Sequence, residues 1–146
     1  MMALYEWCRD RVACVVVYIA EAHTTDGWQM PANEQEGFCL RQPATFEERC
    51  AGARLMHTTL GLTIPTLVDG MDDAASEAFA AWPERIYVAG ADGRIAYKSA
   101  PGPWGFRVRE AAVALQRLLT PGRPRPAPLV QMEAAPDARQ LGRRPG

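Results

Sequence analysis

Nowhere does this chain carry an apolar run long enough to cross a membrane. The longest, Ala13 to Ala20, is far short of the ~20 residues that a spanning helix needs. Glu6, Arg9, Asp10 and Arg11 occupy the N-terminus where a signal peptide would need an apolar core. These absences predict a cytoplasmic protein with no membrane span. A basic surface is missing too: net charge is −1, so no nucleic acid is expected as a partner. The four cysteines, Cys8, Cys14, Cys39 and Cys50, form no Cys-x-x-Cys and match no zinc spacing, so no metal site is expected. Scarce as well is anything ahead of the first strand. Only a short amphipathic segment precedes it, an abrupt start for an α/β domain.

What is present is ordinary in bulk and unusual in one place. Hydrophobic content of 48% and charge of 23% over 146 residues suit one globular domain with a real core. The unusual place is Cys14 to Trp28. A β-branched run ends abruptly in Glu21, Ala22 and His23, then Asp26, Gly27 and Trp28. A continuous apolar run of this kind predicts a strand over 14–20 buried on both faces, as in a parallel sheet under helices. Chemistry in such sheets gathers at the C-terminal edge. Glu21 and His23 stand at that edge, two apart, so both can face one cleft. An imidazole there can transfer protons near neutral pH, with the carboxylate orienting it. The plainer alternative is that the two merely tie the loop to backbone groups.

Residues 2–12 read as the last turns of a helix, and 21–44 as a long irregular loop of the functional kind. Thr45-Phe-Glu-Glu48 is a capping box that opens a helix to about Leu60, with Gly61 as its stop. A strand over 66–69 and a brief helix over 73–81 follow. Two strands, 85–89 and 94–99, are joined by the hairpin signal Gly90-Ala-Asp-Gly93. A last helix, 107–119, carries Val108, Ala112, Leu115 and Leu119 on one stripe. Beyond it, six prolines and five arginines against Glu133 and Asp137 predict a disordered Pro/Arg-rich tail over 120–146. The folded domain is thus placed at 1–119. Its order of helix, strand, helix, strand, helix, hairpin, helix predicts an α/β fold of thioredoxin-like layout, in a peroxiredoxin-like variant lacking its first strand.

Three motifs in this order carry a family resemblance: Glu21-Ala-His-x-x-Asp-Gly-Trp28, Trp82-Pro-Glu-Arg-Ile-Tyr-Val88 with Asp92-Gly-Arg-Ile-Ala-Tyr-Lys98, and Pro101-Gly-Pro-Trp104. Over residues 4–119 the chain resembles the iodothyronine deiodinase family. The resemblance implies an oxidoreductase in which a selenocysteine, or in some relatives a cysteine, attacks a halogen on an aromatic substrate. Thiols then reduce the oxidised enzyme. Glu21 and His23 fall on the family's active-site glutamate and histidine, and Tyr18 on a tyrosine near them. Tyr18 reads equally well as a core strand residue. In the family the nucleophile lies before the segment matching 2–12, so a selenocysteine is expected upstream and the short chain is expected to be inactive. A selenocysteine codon read as a stop would explain a start at Met1 or Met2; an in-frame TGA in the upstream DNA tests this. The stretch 40–49 carries Pro43 where the thyroid enzymes have a substrate-binding histidine, which argues against thyroid hormone as substrate. The implied partners are a small halogenated or oxidised substrate and an external thiol reductant, with no bound cofactor and self-association as a homodimer left open.

Lesser candidates complete the set. Trp28 offers an aromatic wall to a substrate. Arg85 would support an anion at the sheet edge, or else form a structural ion pair. Pro83 is expected to be the cis proline beside the nucleophile, ahead of Pro65. His57 reads as an ordinary helix residue, and Trp82 and Trp104 as packing anchors. Two other functions compete: a peroxiredoxin-like thiol peroxidase, and a non-catalytic small-molecule-binding module. For the peroxidase, Cys39 on the loop is the better nucleophile, because burial in the strand would leave Cys14 inert.

Overall fold

The computed structural model describes residues 1–27 and 40–120. Trp28, Cys39 and the tail beyond Thr120 lie outside the described residues. Helix α1, Met2–Cys8, turns back through Arg11 and Val12, whose N–H groups both donate to Cys8 O. Strand β1, Val16–Tyr18, pairs in parallel with β2, Thr66–Val68, in the register Val16–Thr66, Val17–Leu67, Tyr18–Val68. Parallel neighbours need a crossover. Helix α2, Phe46–Thr59, lies within it and packs on β2.

Local chemistry sets the ends of α2. Thr45 Oγ1 accepts from the Glu48 N–H at 3.2 Å, and the Glu48 carboxylate reaches back to the Ala44 N–H at 2.7 Å. The box therefore closes one residue earlier than its usual reciprocal form. At the far end Gly61 takes φ +57°, the left-handed turn that glycine makes at no steric cost.

The second layer is the antiparallel pair β3, Tyr87–Ala89, and β4, Ile95–Lys98, turned by Gly90–Gly93, with Gly93 at φ +77°. In chain order the short helix α3, Ala74–Ala78, falls between β2 and β3. Helix α4, Val108–Leu119, lies across the hairpin. Cys8 from α1, Ile86, Val88, Ala111 and Leu115 form the buried core. Each fully buried aliphatic side chain there contributes roughly 1.5–3 kcal/mol.

The element order is the one read from the sequence, and the fold is mixed α/β. The sheet is two ladders of two strands, with no pairing between them among the described residues. Three expectations are corrected. Residues 14–20 are not buried on both faces: Val15 is 55% and Val17 41% exposed, while Tyr18 on the opposite face is buried. An apolar run looks the same whether one face is covered or two. The α4 stripe centres on Ala111 and Leu115 rather than on Ala112, because the hairpin meets the helix along that i, i+4 line. Trp82 and Trp104 are not packing anchors; they stand 52% and 87% exposed. The turn at Trp104 is held by backbone, Gly105 N–H to Pro101 O, and gives the indole nothing to pack on.

Candidate functional site

β1 ends at Tyr18, and the chain leaves the sheet through Ile19 and Ala20 into Glu21, Ala22 and His23. The Tyr18 hydroxyl donates to Glu21 Oε1. It lies over Gly52 of α2, where an added Cβ would stand 2.5 Å from the hydroxyl oxygen. Burial first, then the Glu21 carboxylate, pushes the Tyr18 phenol well above its ordinary range, with Arg49 pulling weakly the other way. The phenol is therefore a permanent donor that fixes the carboxylate.

A strap of chain holds the other side of this segment. Glu21 N–H donates to Gln42 Oε1 at 3.2 Å, Gln42 N–H to Asp26 Oδ1 at 3.1 Å, and Thr25 N–H to Leu40 O at 2.8 Å. The Gln42 N–H, foremost, keeps the Asp26 carboxyl below the usual carboxylate range. Beside the strap an open groove of about 400 Å³ runs along α2, lined by Leu40, Gln42, Pro43, Glu48, Gly52 and Leu55. Gln42 and Gly52 each touch both the groove and the Tyr18–Glu21 pair. The groove and the pair are one site.

Beneath it lies a charged latch. Arg49 is 2% exposed, and its Nη1 donates to Gly70 O and, at 2.7 Å, to Asp73 Oδ1. Its Nε has no partner among the described residues. Asp69, at the end of β2, accepts from the N–H groups of Gly70, Ala75 and Ser76 at 2.8–2.9 Å. Burial opposes its charge, but the Ala75, Ser76 and Gly70 N–H groups outweigh burial and lower its pKa.

Of the residues singled out in the sequence, Tyr18 and Glu21 meet directly, and half-buried His23 follows two residues on. Trp82–Pro83 is cis, as expected, and Ile64–Pro65 is not; Gly102–Pro103, within the Pro101–Trp104 motif, is cis as well. Arg85 forms no ion pair among the described residues. Its Nη1 donates to Ser99 O at 3.1 Å, and its Nε is buried without a partner there. Pro43 lines the groove, while His57 and Cys50 line a separate one between α2 and β2. Trp28 and Cys39 fall outside the described residues. Gln42, Arg49 and Asp69 were missed. The only local signal was the strand ending in Asp69-Gly70, and nothing local ties Arg49 to residues 20 positions away.

The family model described as Iodothyronine deiodinase matches residues 3–119 of the chain. Curated relatives agree. The type I iodothyronine deiodinase of Xenopus laevis is 33% identical over 104 residues, 70% of this chain and 38% of that protein. The type II iodothyronine deiodinase of Petromyzon marinus is 36% identical over 105 residues, 70% of this chain and 34% of that protein. The thyroxine 5-deiodinase of Gallus gallus is 32% identical over 112 residues, 74% of this chain and 42% of that protein. The chain thus spans well under half the length of the curated relatives it matches.

Proposed function

The chain belongs to the iodothyronine deiodinase family, and from that premise we propose that it carries the proton-handling side of a reductive dehalogenation site. The fold in this reading is thioredoxin-like, with the site at the C-terminal edge of β1. The observation that carries it is the Tyr18–Glu21 hydrogen bond, closed over Gly52 and opening on the groove beside Gln42.

In this reading the groove along α2 receives a small halogenated or oxidised aromatic. Glu21, pinned by Tyr18 and by Gln42, orients the segment that bears His23. His23 delivers the proton that the aryl carbon takes up as halide departs. A selenolate or thiolate nucleophile supplies the attack on the halogen, and an external thiol the electrons that reset it. The described cysteines do not fit that role. Cys8 and Cys14 pair with each other at the opposite end of β1, and Cys50 lines the groove between α2 and β2. Cys39 lies outside the described residues, so the placement rests on the family resemblance: we place the nucleophile ahead of the segment matching residues 2–12.

The test is iodide release from an iodinated phenol with dithiothreitol as reductant. The 146-residue chain would be compared with a form in which the upstream coding segment is restored. Release is expected only from the restored form. There His23→Asn is expected to lower turnover about 10²–10⁴-fold. Activity in the short chain contradicts the placement of the nucleophile, and a silent restored form sinks the dehalogenase reading.

A further inference from the structure

Two cysteines that the proposed site does not use meet in the core. Cys8, the last residue of α1, is 1% exposed, and Cys14, just ahead of β1, is half-buried. Their sulfurs are 3.6 Å apart. The turn between them is held by the Arg11 and Val12 N–H groups on Cys8 O, at 2.9 and 3.0 Å, so the backbone itself presents one thiol to the other. A disulfide needs sulfurs about 2.05 Å apart with a specific dihedral. The two sulfurs stand about 1.5 Å outside that bond length.

We propose that Cys8 and Cys14 form a redox-active dithiol, which a small-molecule disulfide of the oxidised-glutathione kind converts into an intramolecular disulfide. The Cys14 thiolate attacks the reagent disulfide, RSSR, forming a mixed disulfide and expelling RS⁻. The Cys8 thiol, losing its proton, attacks the Cys14 sulfur and expels the second RS⁻. In sum, two protein thiols and RSSR give one protein disulfide and two RSH. The pair is oxidised and the reagent reduced, with no other reactant.

The surroundings set its rate. Burial first, then the neighbouring Cys8 thiol, pushes Cys14 up to about 11. Of the hydrophobic side chains packed on this core, Tyr97 of β4 also titrates, and burial, then Glu110, raises its phenol. Arg9, Asp10 and Arg11 lie in the turn between the two thiols. Cys14 lies ahead of β1 and is half-buried rather than enclosed in the strand, so it is slow rather than inert. Its thiolate is scarce at neutral pH, and oxidation is expected to quicken roughly tenfold per pH unit on the alkaline side of neutrality.

The test uses the full chain, exposed to oxidised glutathione over a range of pH and then alkylated. The monomer band from a non-reducing gel is digested with trypsin, which cuts after Arg9 and Arg11. A Cys8–Cys14 bond then joins residues 1–9 to residues 12–41. Because the second peptide also holds Cys39, Cys39→Ser is digested alongside. The linked pair is expected in the parent and in Cys39→Ser, to be absent from Cys14→Ser, and to form faster as pH rises. Thiols that stay fully alkylatable overturn the proposal. So does a link that vanishes with Cys39→Ser or survives Cys14→Ser. If Cys14→Ser does not fold, the parent and Cys39→Ser digests decide alone.

Discussion

Gly52 lies inside α2, where alanine would ordinarily stabilise a helix by about 0.5–1 kcal/mol. Here the sign reverses. A Cβ would meet the Tyr18 hydroxyl oxygen at 2.5 Å and the ring Cζ at 3.2 Å, so the tyrosine would have to shift away from Glu21. Gly52→Ala is expected to cost about 1–3 kcal/mol in chemical unfolding. The cost should shrink in a Tyr18→Phe background, where the clashing oxygen is gone, and a double-mutant cycle reads that coupling. An unchanged or raised stability in the single variant would show that Tyr18 is not held over the helix.

At the scale of elements, α3 has only five residues, and its own N-cap residue, Asp73, makes no side-chain capping bond. A helix this short does not persist alone. It persists because Asp69, arriving from β2, accepts the Ala75 and Ser76 N–H groups, while Arg49, arriving from α2, grips Gly70 O and Asp73. Asp73 takes φ +53°, tolerable for Asp and here fixed by the guanidinium. Because the folded protein lowers the Asp69 pKa, its contribution is fully present above the ordinary carboxylate value of about 3.9 and fades as pH falls through the depressed folded one. Asp69→Asn is expected to lose about 2–3 kcal/mol at neutral pH, since one amide cannot accept from all three N–H groups. Urea titrations on the acid side should show the gap between parent and variant narrowing. A constant gap would mean that the charge is immaterial.

For the molecule as a whole, the unsettled surface is the outer face of the first ladder. Val15, Val17 and Leu67 are 55%, 41% and 55% exposed, and Val17 sits opposite Leu67 in the register. Beside this face, β1 has β2 as its only ladder partner among the described residues. An apolar face next to an unpaired strand edge is a site for association. The 146-residue chain alone is expected to aggregate, and Val17→Lys to raise the soluble fraction in sedimentation. A parent that melts sharply and reversibly as a monomer would contradict this. No helix among the described residues is long and apolar enough to cross a membrane, so the patch is not part of a helical span.

Several features were readable in the chain because each depends on neighbours within a few positions. They include the Thr45–Glu48 cap, the Gly61 stop, the Gly93 hairpin turn and the family motifs around Glu21 and His23. Spacing at i to i+4, a missing Cβ and a fixed order of residue types are local quantities, and they determined the elements, their order and the family. Only the tertiary structure decided which groups meet. It brought Gln42 to Glu21 across 21 positions and Arg49 to Gly70 across 21, and set Tyr18 over Gly52. It also decided that Val15, Val17, Trp82 and Trp104 stay exposed despite their apolar character. Burial and long-range hydrogen bonding depend on what the folded chain lays against a residue, and no window along the sequence holds that information.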